Sequence, residues 1–114
     1  MQHRWAARRH PRSPITVQIL VDGYVVAHGE VADISLKGAG LRASEGLRPG
    51  ETVELRLDTE ADDLPSFFSR ARIVWSRSAV GADDASRCGV RWSDLTEAEA
   101  GPLIRLIEAS CTEH

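Results

Sequence analysis

The chain has 114 residues, 42% apolar and 27% charged, with a formal net charge of −3 at pH 7, which fits one globular domain with a single modest core. No run approaches the ~20 apolar residues of a membrane span, and the N-terminus lacks the ~7–15-residue apolar core of a signal peptide, so the composition predicts a cytoplasmic chain with no membrane insertion. Charge is unevenly placed: residues 1–21 carry +4 from Arg4, Arg8, Arg9 and Arg12, and residues 22–114 carry −7, which sum to −3. An arginine-rich start ahead of an acidic remainder calls for an anionic partner.

In chain order, residues 1–14 hold Pro11, Pro14 and the four arginines without periodicity, and predict a flexible arm; residues 15–114 form the domain proper. Ile15, Val17, Ile19 and Val21 alternate with polar residues, the pattern of a half-buried strand. Asp22-Gly23 then predicts a two-residue hairpin turn into a second strand over Tyr24–Ala32. DISLKG (33–38) reads as a loop and AGLRA (39–43) as a third strand. Val53, Leu55 and Leu57 mark a fourth strand after the Pro49-Gly50 turn. TEADDLP (59–65) is an acidic connection, Phe67–Arg77 a fifth strand and GADDAS (81–86) a polar turn. Cys88, Val90 and Trp92 alternate with Arg87, Gly89 and Arg91 in a sixth strand, which places Trp92 in the core. Trp75 shares parity with Phe67, Ala71 and Ile73, which predicts a core position for it as well.

The end of the chain is helical. Thr96 and Glu99 have capping-box spacing, and Asp94, Glu97 and Glu99 suit a helix N-terminus. Leu103, Ile104, Leu106, Ile107 and Cys111 recur on one helix face. Gly101-Pro102 predicts a split between a first turn and the main helix, because proline disfavours helical geometry in the residue before it. The whole is mostly β: six short strands closed by one helix predict a small antiparallel barrel capped at one end. Cys88 and Cys111 fit no metal spacing and read as small buried hydrophobes in a reduced compartment. His3, His10, His28 and His114 show no ligand spacing, so no metal site is expected.

Two short motifs go further. Arg8 and Arg12 stand as RxxxR in RRHPR, and about twenty residues later DISLKG places Asp33, Ser35 and Gly38 as DxSxxG. With the DG hairpin, RIVWSR and GVRWSDL leading into a helix, the sequence resembles the PilZ domain family, bacterial receptors for the second messenger cyclic di-GMP, over nearly its whole length. The resemblance implies a six-stranded antiparallel β-barrel with a C-terminal α-helix and an N-terminal arm that changes conformation on binding. It implies a stand-alone domain that needs no cofactor and signals to a separate, unidentified effector protein. It also assigns the site. Arg8 and Arg12 meet guanine and phosphate, with Arg9 as an accessory phosphate contact, since an arginine forks onto guanine O6/N7 or a phosphate. Asp33 accepts from the guanine donor edge, Ser35 makes a polar contact, and Gly38 lets the loop backbone turn and come close to the ligand. Arg4 is a further candidate. Trp75 is another, either packed in the core or stacked on a guanine.

Other classes fit less well. The chain has no GxSxG elbow, no Cys–His arrangement and no P-loop, so no enzyme is expected. An arginine arm on a small barrel can engage a polyanion, but the domain behind it is acidic and its strands offer few aromatics for stacking, so no DNA or RNA partner is expected. The remaining alternative is a PilZ-like protein-interaction module that does not bind the nucleotide; the intact RxxxR and DxSxxG favour binding.

Overall fold

In a computed structural model, which describes residues 7–60, 64–78, 86–93 and 95–111, six antiparallel strands close on themselves. They are β1 (Ile15–Val21), β2 (Tyr24–Ile34), β3 (Gly38–Ala43), β4 (Thr52–Thr59), β5 (Phe67–Arg77) and β6 (Ser86–Trp92), and the helix α1 (Glu97–Ser110) follows. The order around the barrel is β1-β2-β3-β6-β5-β4. Period-2 patterning dictates this: Ile15, Val17 and Ile19 of β1 face inward, as do Val53, Leu55 and Leu57 of β4. Leu41, Ile73 and Val90 meet them, and Leu103, Leu106 and Ile107 of α1 are buried with them. Each of these aliphatic side chains contributes roughly 1.5–3 kcal/mol through burial. The β1–β2 turn has both central residues at positive φ, Asp22 at 53° and Gly23 at 83°, the backbone that matches the twist of a two-residue hairpin.

Trp92 is in the core as expected, edge-on to Phe67 with ring centroids 5.6 Å apart. Its indole Nε1–H donates to the Ser35 carbonyl at 3.0 Å, so the β2–β3 loop is tied to the core by a buried hydrogen bond. Cys88 and Cys111 are buried free thiols.

Three sequence expectations are corrected. First, β2 runs on to Ile34, and the connection to β3 shrinks to Ser35–Lys37, because Ile34 pairs with Ala39 on one side and with Arg9 on the other. Asp33 is therefore a strand residue. Second, α1 is continuous through Pro102. Gly101 has no Cβ to meet the proline ring, which removes part of the clash that ends helices before proline. Thr96 does cap the helix, accepting from the Glu99 N–H at 3.3 Å, while Asp94 lies outside the described residues. Third, Cys111 is the residue just past the helix end, its N–H donating to the Ile107 carbonyl at 2.9 Å.

The segment before β1 lies along the barrel. Arg9 and Ile34 exchange backbone hydrogen bonds, both 2.9 Å, and the Arg12 N–H donates to the Ser110 carbonyl at 2.8 Å. Pro11 bridges to Cys111. These bonds carry residues 9–12 from the end of β2 to the end of α1.

Candidate functional site

Two bulges build the site. Between Val31 and Asp33, and again between Ile73 and Trp75, one strand carries an extra residue relative to its neighbour. A bulge shifts the pleat and re-aims the side chains beyond it. Val31 pairs with Leu41 and is buried, but Asp33 pairs with Gly40 and is only partly buried. Likewise Ile73 pairs with Val90 inside, whereas Trp75 pairs with Gly89 and is 44% exposed. The core position expected for Trp75 is thus corrected: its parity with Ile73 is broken by the bulge at Val74.

Gly40 pairs with Gly89 across β3 and β6, so the bulges place four residues in one cross-strand row on the barrel exterior: Asp33, Gly40, Gly89, Trp75. The two glycines make a floor. A Cβ on Gly40 would stand 2.8 Å from Asp33 Oδ2, and one on Gly89 would overlap the Trp75 indole. A carboxylate and an aromatic ring therefore occupy the two ends of a shallow trough.

Beside this row opens a cavity of about 380 Å³ lined by Arg8, Ser35, Lys37, Gly38, Val74, Val90 and Arg91. Its described lining has three cations and no acid. Arg8 Nη1 donates to Asp33 Oδ1, with Arg8 61% exposed and Asp33 22%. Ser35 is buried; its Oγ accepts from the Lys37 N–H at 3.1 Å, which fixes the turn and leaves the hydroxyl proton free to donate. Gly38 has a different role from the one expected. Its φ is not positive, and it is the carbonyl of Val90 that a Cβ would overlap, so glycine here permits close approach of β6, not a turn.

The structure brings Arg8, Asp33, Ser35 and Gly38 together. Arg12 goes elsewhere: its guanidinium Nη2 lies 3.5 Å from the Ala109 carbonyl, and it lines a separate cavity of about 230 Å³ with Glu30 and Arg42. Arg9 and Arg12 both act electrostatically on Cys111, which locates their charge near the helix end. Arg4 lies outside the described residues. Sequence reading missed Gly40, Gly89, Lys37 and Arg91. The available signal was glycine at outward positions of strands, which marks close approach by a ligand or side chain. Another cavity, about 410 Å³, over β1, β4 and β5 is lined by Glu54, Glu99, Arg56 and Arg70 among others; its opposed charges do not select an anion.

The filled β-barrel thus carries on its exterior a carboxylate–aromatic trough and, beside it, a cationic cavity. The chain belongs to the PilZ domain family, whose model matches residues 2–109. Among solved structures, the PilZ domain of YcgR from Escherichia coli with c-di-GMP matches with TM-score 0.67 and 16% identity, over 95% of this chain and 91% of that one. The PilZ domain of CeSA from a cellulose-synthesizing bacterium matches with TM-score 0.61 and 22% identity, over 89% and 95%. The inhibitor of motility MotI/DgrA of Bacillus subtilis matches with TM-score 0.67 and 16% identity, over 96% of this chain but 51% of that one. At such identities these matches speak for the fold. Comparison with curated proteins finds no match. Among the described residues, no helix is long and apolar enough to cross a membrane, and no group of three or more side chains is arranged to hold a metal ion.

Proposed function

We propose that this PilZ domain is a cytoplasmic receptor for cyclic di-GMP, working without a cofactor or catalysis and signalling to a separate protein. The observation that carries the reading is the row Asp33–Gly40–Gly89–Trp75 beside the Arg8–Lys37–Arg91 cavity. Asp33 accepts from the N1–H and N2–H₂ edge of a guanine, which an amide NH₂ or a lysine could not do. The exposed face of Trp75 stacks on a base. Arg8 turns from Asp33 to a guanine edge or a phosphate, and Lys37 and Arg91 neutralise the phosphates. Ser35 donates its free hydroxyl proton. Arg12 and Arg9 join by leaving the end of α1, so that binding moves residues 7–14 and alters the surface there.

Isothermal titration of the full chain tests this. Cyclic di-GMP should bind at micromolar affinity or tighter, with GTP and cyclic AMP far weaker. Arg8→Ala should cost about 1.5–3 kcal/mol, the range for hydrogen bonds to charged groups. No heat and no amide chemical-shift change with cyclic di-GMP would favour the alternative, a protein-interaction module without nucleotide binding. Hydrogen exchange at Arg9, Arg12 and Ile34 with and without ligand reports the arm movement separately.

A further inference from the structure

Two residues along from the Asp33–Trp75 row, the same face carries a second row. Arg42 is paired with Arg87, and Arg87 with Arg77. Directly opposed residues on neighbouring strands share one face, and these three are at the surface: Arg77 and Arg87 are exposed and the Arg42 side chain is 42% exposed. Glu30, 3.8 Å from Arg42 on the β2 side, is the one described acid joined to the row. Neither Arg77 nor Arg87 has an ion pair with a described residue. Like charges directly opposite each other destabilise a sheet, so the alignment of three guanidiniums works against the fold.

We infer that the row Arg42–Arg87–Arg77 docks an acidic helical segment of a partner protein. Neighbouring strands are about 4.8 Å apart, which sets the outer arginines about 10 Å apart across three strands. A helix crossing the strands presents residues i and i+7 about 10.5 Å apart, with i+3 or i+4 between them. Three carboxylates on one helix face then meet three guanidiniums, each able to fork onto its partner. An extended acidic strand repeats its same-face residues every ~6.7 Å and falls out of step. A nucleic acid needs a broad basic field, whereas residues 22–114 carry −7 and Glu30 adjoins the row. The inference stands apart from cyclic di-GMP binding, because the row lies outside the Arg8 cavity and contains none of its residues.

The test is an amide chemical-shift titration of the full chain at low salt. The probe is a capped synthetic helix of about 15 residues with Glu at i, i+4 and i+7, and the control is the same helix with Gln at those positions. The Glu helix should shift the amides of Arg42, Arg77 and Arg87, with binding lost as salt rises. Arg87→Glu should weaken it about tenfold or more, and Arg87→Lys should weaken it less, because the charge remains while the fork is lost. Thermal unfolding guards the comparison: Arg87→Glu separates two arginines and should not lower the midpoint. Equal shifts from the Gln helix, or shifts centred on Arg8, Lys37 and Arg91, overturn the inference. So does tighter binding of a single-stranded RNA oligomer at the same amides. The sequence also places Asp83 and Asp84 between β5 and β6; if replacing both with Asn is required before the Glu helix binds, the row serves the chain's own acids and the inference fails.

Discussion

Trp75 lies across Gly89 so closely that a methyl group on the glycine would overlap the indole Nε1. The missing side chain at Gly89 makes room for the ring over β6, and Gly40 gives the Asp33 carboxylate the same room. Three outward glycines therefore predict three different phenotypes. Gly89→Ala displaces Trp75 and should shift tryptophan fluorescence while lowering cyclic di-GMP affinity. Gly40→Ala pushes only the end of a flexible carboxylate and should weaken ligand binding with little change in thermal midpoint. Gly38→Ala drives a methyl into the Val90 carbonyl, which backbone pairing cannot move aside, so it should destabilise the barrel itself. Thermal unfolding and titration on the three variants separate these outcomes.

Arg12 supplies what α1 lacks, since the last turn of the helix has no basic residue of its own. The guanidinium beside the Ala109 carbonyl interacts favourably with the negative end of the helix dipole, worth about 0.3–1 kcal/mol. Arg12→Ala should lose about that much stability, because the backbone bond to Ser110 survives. Arg12→Lys should recover most of the stability but not the ligand affinity, since a point charge cannot fork onto a base edge or phosphate. Urea unfolding alongside titration reads both effects.

Gly101 and Pro102 should show a reversal of sign. Nothing lies within 4 Å of the Cβ position at Gly101, so Gly101→Ala would ordinarily stabilise a helix by about 0.5–1 kcal/mol. Next to Pro102 the added Cβ meets the proline ring, and the substitution should destabilise. In a Pro102→Ala background it should stabilise. A double-mutant cycle in urea measures the coupling.

The buried thiols predict a loss of stability at high pH. Burial pushes Cys88 up to about 11 from 9.0, and burial also raises Cys111, with Arg9 and Arg12 pulling the other way. Folding holds the Cys88 proton beyond the point at which the unfolded chain releases it. That contribution is complete below 9.0 and is lost as pH climbs toward about 11. As pH rises from 9.0 to about 11, Cys88→Ala should lose less stability than the parent. Both thiols should resist alkylation at neutral pH until the protein unfolds.

Local signals in the sequence fix the barrel well: alternation in β1, β4 and β6, the Asp22-Gly23 turn and the Thr96 cap each act within a few residues. What escapes is what depends on a neighbouring strand. Trp75 and Ile73 have the same parity in the chain, and only the register against Gly89 and Val90 reveals the bulge between them. Asp33 is turned outward in the same way by its pairing with Gly40. The motif residues Arg8, Asp33, Ser35 and Gly38 were legible as a set, yet the reason for Gly38 was not, because the Val90 carbonyl it accommodates lies on another strand. Arg12 was legible as a cation but not as a helix cap, since its carbonyl partner is 97 residues away.

The closed interior has a consequence for how such a domain changes over generations. Ile15, Ile19, Leu41, Leu55 and Ile73 fill the barrel, and the side chains that face outward alternate with them along the same strands. Substitution at Arg42, Trp75, Arg77, Arg87 or Arg91 alters the chemistry of the exterior without repacking anything inside. At these positions the exterior can change while the core stays as it is, whereas Gly38 and Arg12 join the site to the fold. On the function proposed above, a lineage can exchange one messenger or partner for another by single replacements on that exterior, each intermediate still folded and open to selection.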